Sequence, residues 1–342
     1  MSSDNKDTYT LSEGEIQILA SLARAESDRS AIDRASLEAS LERFEPFRAN
    51  PAGAVDLLRS KGLVTGDDTA LQLTESGRPL ARAYHAERPD HYWYYFRKFY
   101  AAADASAAHS ELCERAFGRD LCQEGMVDME ALDDLLDRLE LKPGDTVLDL
   151  GCGAGGISEY ISDRTGGRVT GIDISTSGIE VAQARTAAKR DRLNFLIGDL
   201  NALDLKPNSF DAAISLDALY WVADLDRTLD DILASLRPGG QLAVHTLHGR
   251  EADEPLEAME AQASPIAKAL DRRGLSYEVS EHTSNNAAFW QRIYKAAVDL
   301  RETFMAEGNV WIADSLIREA EEEFLPAFDA GLMARYLFHV RI

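Results

Sequence analysis

The stretch Thr146-Val147-Leu148-Asp149-Leu150-Gly151-Cys152-Gly153-Ala154-Gly155-Gly156 constrains the fold more than any other part of the chain. An apolar, strand-like run ends beside an acid, passes through a glycine-rich turn and opens the helical pattern of Ile157–Arg164. Glycine is needed where the backbone turns sharply and lets a ligand approach, because a Cβ would collide there. Taken alone, Gly151-x-Gly153-x-x-Gly156 also satisfies a dinucleotide fingerprint. Asp149 separates the readings: a carboxylate at the C-terminal end of the strand repels a pyrophosphate and attracts an ammonium group, directly or through water. A second acid, Asp173, closes Gly171-Ile172-Asp173-Ile174-Ser175, 24 residues after Asp149, where a carboxylate can accept both ribose hydroxyls. A third segment, Leu193–Ile197, ends in Gly198-Asp199-Leu200-Asn201 and sets an acceptor where an adenine amino group would lie.

From Thr146 onward, apolar strand-like runs alternate with helical patterns, which predicts a doubly wound α/β sheet. Met126 to Leu139 reads as an amphipathic helix in front of it, with Met129, Leu132, Leu135, Leu136 and Leu139 on one face. The motifs DLGCGAGG, GIDIS and GDLN, then Phe210–Leu219 and Leu236-Arg237-Pro238-Gly239-Gly240, resemble in order and spacing the class I S-adenosylmethionine-dependent methyltransferases over about residues 125–250. The resemblance implies a Rossmann-like seven-stranded sheet of order 3-2-1-4-5-7-6 with the last strand antiparallel. It also implies S-adenosylmethionine as cofactor. Asp149, Gly151, Gly153 and Gly155 would then serve its methionine end, Asp173 its ribose, and Asp199 with Leu200 its adenine, with Cys152 and Ile174 as further cofactor-binding positions. Ser215 would border the site at the end of the fourth strand.

Methyl transfer from a sulfonium is an in-line displacement, so most of the barrier reduction can come from alignment, and a base is needed only for a protonated acceptor. Candidate catalytic residues are Asp217, His245, Tyr220 and His109, with His248 and Glu111 as further titratable neighbours. Candidate substrate-lining residues are Tyr92 and Tyr95 in the aromatic run Tyr92–Tyr100, then Trp221, Trp290 and Tyr336; aromatic faces can stabilise a cation or stack an organic ring. Ser276–Ser280 reads as the sixth strand and Ala334–Val340 as the seventh. A helical insertion at about 284–331 lies between them and, with the connector and the N-terminal module, would make a lid suited to a small metabolite.

Residues 1–90 form an N-terminal module, 91–125 an aromatic connector and 126–342 the α/β domain. The module reads as short helices followed by the hairpin Leu63–Thr65 and Leu71–Thr74, a pattern that resembles a winged helix. Over residues 11–90 it carries ten basic against fourteen acidic residues, where a DNA reader should be basic; homodimerisation or substrate-lid duty is the better expectation. The whole chain, at −23, repels phosphate backbones, and most of its acids read as a solvated surface. Three cysteines without paired spacing support neither a disulfide scaffold nor a metal site. The polar N-terminus and the lack of a long apolar run fit a cytoplasmic protein off the membrane. Three rival readings stay open: transfer of another arm or intramolecular cyclisation of the same cofactor with release of methylthioadenosine, a nicotinamide oxidoreductase, and a ligand-sensing DNA-binding regulator.

Overall fold

A computed structural model describes residues 9–27, 31–42, 51–87 and 92–342. The chain divides into two compact units, Met1–Lys98 and Phe99–Ile342. In the first, helices α1 (Glu13–Ser27), α2 (Arg34–Glu42), α3 (Pro51–Ser60) and α4 (Gly77–Glu87) surround a short antiparallel hairpin, β1 (Val64–Thr65) with β2 (Gln72–Leu73). Ile32 adds a single bridge to Leu71. Helix α1 starts in a capping box, in which Ser12 N donates to the Glu15 carboxylate and Glu15 N to Ser12 Oγ. Ile18, Leu19, Val55, Leu58, Leu63 and Ala81 fill the core of this unit.

Helix α5 (Tyr92–Asp104) bridges the two units in sequence, and α6 (Ala107–Phe117) follows it, capped by Ser106. The aromatic run Tyr92–Tyr100 of the connector is therefore helical, the connector ends in a loop after Phe117, and α6 packs along the long α12 (Thr283–Ala306). Helix α7 spans Met129–Leu139. The sequence pattern placed its start at Met126, but Asp128 accepts from Ala131 N and caps the helix there. Met126 instead belongs to the loop in front, where its N–H donates to Asp217.

The sheet contains β3 (Thr146–Leu150), β4 (Arg168–Asp173), β5 (Leu193–Ile197), β6 (Phe210–Leu216), β7 (Leu236–Gly249), β8 (Tyr277–Glu281) and β9 (Met333–Arg341). Their order is β5-β4-β3-β6-β7-β9-β8. Strands β3 to β7 pair in parallel, and β9 runs antiparallel to both neighbours. Counted along the sheet this is 3-2-1-4-5-7-6, as the resemblance implied. Alternating side chains split the core in two. Val147, Ala212, Ile214, Ala243 and Leu337 face α7, α8 (Gly156–Thr165) and α9 (Thr176–Arg185). Leu148, Leu150, Ala213, Leu242, Val244 and Phe338 face α10 (Leu225–Ser235) and α11 (Pro265–Arg272). Helices α12, α13 (Val310–Glu319), a π-helical turn (Ala320–Phe324) and α14 (Leu325–Asp329) form the insertion between β8 and β9. Among the described residues no helix is long and apolar enough to cross a membrane.

Candidate active site

The carboxyl ends of β3, β4 and β6 meet where the strand order reverses, the position at which open parallel sheets bind ligands. The glycine-rich turn after β3 is held down by its neighbour: Gly151 N and Cys152 N both donate to Ile172 O, at 2.8 and 3.2 Å. Gly151 and Gly153 adopt φ of +81° and +53°, a region that costs a residue with a Cβ. A Cβ on Gly151 would lie 2.4 Å from Ala218 Cβ, and one on Gly153 would lie 2.4 Å from Tyr100 Oη. The turn is thus clamped between the end of β6 and an aromatic ring from α5.

Asp173 organises this turn. One of its oxygens accepts from Gly153 N at 2.8 Å and the other from Ser175 N at 2.7 Å. The carboxylate is half-buried, and each oxygen keeps acceptor capacity for a further donor. Burial raises its pKa against those two backbone donors. Asp149 lies lower, 2% exposed, and accepts from Ser158 Oγ on α8. Burial lifts its carboxyl to about 6 while that hydrogen bond opposes the rise. Ile174 is half-buried beside Asp173. Asp199 accepts from Asn201 N at 2.9 Å and shapes the turn after β5, where Leu200 packs against the core.

A narrow cleft of about 30 Å³ runs beside the glycine turn and is bounded by Tyr100, the loop from Leu121 to Val127, Asp149, Leu216 and Asp217. Among the described residues it presents the carboxylates of Glu124, Asp149 and Asp217 and no lysine, arginine or histidine. That space is room for a water or two, so an amino-acid moiety enters only as Tyr100 or the loop gives way. Tyr100 is buried; desolvation and the Asp173 and Glu124 carboxylates raise its hydroxyl well above its ordinary pKa, so it stays a neutral donor.

Asp217 makes a buried ion pair. Both its oxygens take the guanidinium of Arg335 on β9, one through Nη2 at 2.7 Å, with side chains 6% and 0% exposed. It also accepts from Met126 N at 2.9 Å and donates its own N–H to His245 O at 3.1 Å. Its backbone is left-handed, φ +60°, a conformation aspartate tolerates better than most residues. The predicted catalytic Asp217 is therefore a brace that ties the loop before α7 to β6 and β9.

The other predicted residues fall in several places. His245 is 1% exposed with both ring nitrogens unpartnered, 5.0 Å from the His282 ring; burial, then Arg335 and His282, push its pKa well below the ordinary value. It does not line the cleft. His109 is buried under Phe99 and beside Cys113, pushed down to about 4 by desolvation. Tyr220 and Trp221 sit on an exposed turn after β6. Trp290 stacks on Phe324 at 3.8 Å and donates to Met126 Sδ at 3.4 Å, so it supports the loop that carries Glu124. Tyr336 lies on the sheet face under α10 and α11, its hydroxyl donating to Met259 O at 2.6 Å, away from the cleft. His248 bonds Ala258 O at 2.7 Å. Tyr92 and Tyr95 lie on α5, and their side chains fall outside the described residues. Ser215 is fully buried with its hydroxyl unpartnered. No described group of histidines, cysteines and acids has the arrangement of a metal site. Sequence reasoning did not single out Tyr100 beyond its aromatic run, and it missed Glu124, Met126 and Arg335, which no local pattern marks.

Residues 148–244 match the methyltransferase domain family. Methyltransferase GfsG of Streptomyces halstedii is 32% identical over 201 residues, 58% of this chain and 66% of that protein. Phosphoethanolamine N-methyltransferase 2 of Caenorhabditis elegans is 33% identical over 112 residues, 32% of this chain and 25% of that protein. The chain thus spans less than two thirds of either relative. A solved structure of Haemonchus contortus phosphoethanolamine N-methyltransferase 2, in complex with phosphomonomethylethanolamine and S-adenosylhomocysteine, superposes with a TM-score of 0.59. It is 22% identical and covers 72% of this chain and 60% of its own, a likeness of fold.

Proposed function

We propose, from the premise that this chain belongs through residues 148–244 to the class I S-adenosylmethionine-dependent methyltransferases, that it transfers the methyl group of S-adenosylmethionine to a small-molecule acceptor. The observation that carries this reading is the lining of the cleft beside a left-handed glycine turn: no lysine, arginine or histidine, and the carboxyl groups of Asp149, of Glu124, and of Asp217 in its pair with Arg335. Such a lining suits a cationic amino-acid moiety and repels the pyrophosphate of a dinucleotide.

S-adenosylmethionine supplies an electrophilic methyl carbon on a positively charged sulfur. In this reading Asp173 accepts from the ribose hydroxyls with the lone pairs left free by Gly153 and Ser175. The turn after β5, with Asp199 and Leu200, receives the adenine. Asp149 supplies negative charge beneath the methionine end and, through Ser158, fixes the start of α8. Tyr100 and Met126 exclude water over the turn, so the residues act mainly by positioning and desolvation. The net acidic charge of the first unit favours a role in dimerisation over nucleic-acid binding.

The acceptor class follows from a product assay. The protein is incubated with S-adenosylmethionine and a panel of phosphoethanolamine, small amines, hydroxy compounds and activated carbon acids. Formation of S-adenosylhomocysteine with gain of one methyl on an acceptor is expected. Release of methylthioadenosine in its place would contradict methyl transfer.

A further inference from the structure

Glu124 is the one cleft carboxylate that the fold leaves uncommitted. Asp149 is bonded to Ser158 and Asp217 to Arg335 and Met126. Glu124 lines the same cleft as Asp149, Gly151 and Gly153, and its carboxylate has no hydrogen-bond partner among the described residues. Its place is nevertheless set on both sides. Gly125 is held at φ +130°, where an added Cβ would lie 3.3 Å from Asp217 Oδ2. Met126 is fixed through its N–H by Asp217, through its O by Asn286 Nδ2 at 3.1 Å, and through its sulfur by Trp290. A loop anchored at three points holds out one unpaired acid beside the turn that receives the cofactor's amino-acid end.

We infer that Glu124 binds the α-ammonium group of that amino-acid end, a contact that rests on the function proposed above. The groups facing it are Glu319 at the end of α13, Asp217 in its pair with Arg335, Asp173 at the end of β4, and the neutral Tyr100 hydroxyl. Burial comes first, and then the three acids raise the Glu124 carboxyl to about 8. At pH 7 the free protein therefore carries a proton there. Arrival of an ammonium group favours the carboxylate, and the proton leaves to the buffer.

Calorimetry separates this contact from the rest of the site, using S-adenosylhomocysteine, which has the ammonium, and methylthioadenosine, which lacks the whole amino-acid end. Glu124→Gln should weaken S-adenosylhomocysteine by about ten- to a hundredfold, the range for one charge-assisted hydrogen bond, and leave methylthioadenosine unchanged. Glu124→Asp should recover part of the loss. Titrations at pH 7 in buffers of different ionisation enthalpy should show proton release on binding S-adenosylhomocysteine by the natural protein and less by Glu124→Gln. Equal affinity of both proteins for S-adenosylhomocysteine, or equal weakening of both ligands, overturns the inference and leaves the proposed function standing. Failure of the unsubstituted protein to bind either nucleoside overturns both.

Discussion

Arg335→Met is expected to lower the unfolding free energy by about 3–5 kcal/mol, the cost of stranding one member of a buried ion pair. The guanidinium is fully buried in β9, and among the described residues Asp217 balances its charge. Methionine fills much the same volume with no charge, so the loss comes from Asp217, whose carboxylate stays buried against Met126 N and Gly125. The effect should be coupled. Asp217→Asn in the same chain keeps an acceptor for Met126 N and tolerates the left-handed backbone, and it should restore most of the stability, because replacing both partners of such a pair is far milder than removing one. Urea unfolding of the two single variants and the double variant reads this out as three midpoints. A single Arg335→Met with an unchanged midpoint would show that the pair does not brace the fold.

Asp173→Ala has the second large consequence, on binding rather than folding. The change removes the acceptor for Gly153 N and Ser175 N, so the glycine turn loses its tie to β4. It also removes the group assigned to the ribose. Two charge-assisted hydrogen bonds lost together correspond to about a hundredfold or greater loss of affinity for S-adenosylhomocysteine. Asp173→Asn keeps the shape and one acceptor and should fall between the two. Titration calorimetry checks both, and unchanged affinity in Asp173→Ala would place the ribose elsewhere.

The sheet was legible because its information is local. Each parallel strand announces itself as an apolar run before a turn, and the segments that close β3, β4 and β5 carry the acids Asp149, Asp173 and Asp199 that the sequence singles out. Asp149, Asp173 and the glycines could be read from a few consecutive positions for that reason. The braces were not legible because they join distant segments. Arg335 sits in a strand whose neighbours are apolar, and its reason for being buried is Asp217, more than a hundred residues earlier. Tyr100 matters because Gly153 and Gly178 leave room for its ring, a fact of packing rather than of pattern. Tyr336 misled because successive residues of a strand face opposite sides; its ring joins the core under α10 and α11. His245 looked like a base at a strand end, yet it lies inside the core with no polar partner.

The central claim is that an acidic, glycine-lined strand end receives a sulfonium amino acid joined to adenosine. Titrating the purified protein with S-adenosylhomocysteine and, separately, with a nicotinamide dinucleotide tests it most directly. Saturable heat with the first and none with the second is the result expected from carboxylates at Asp149 and Asp173 and a cleft without basic side chains. Saturable heat with the dinucleotide alone would contradict it.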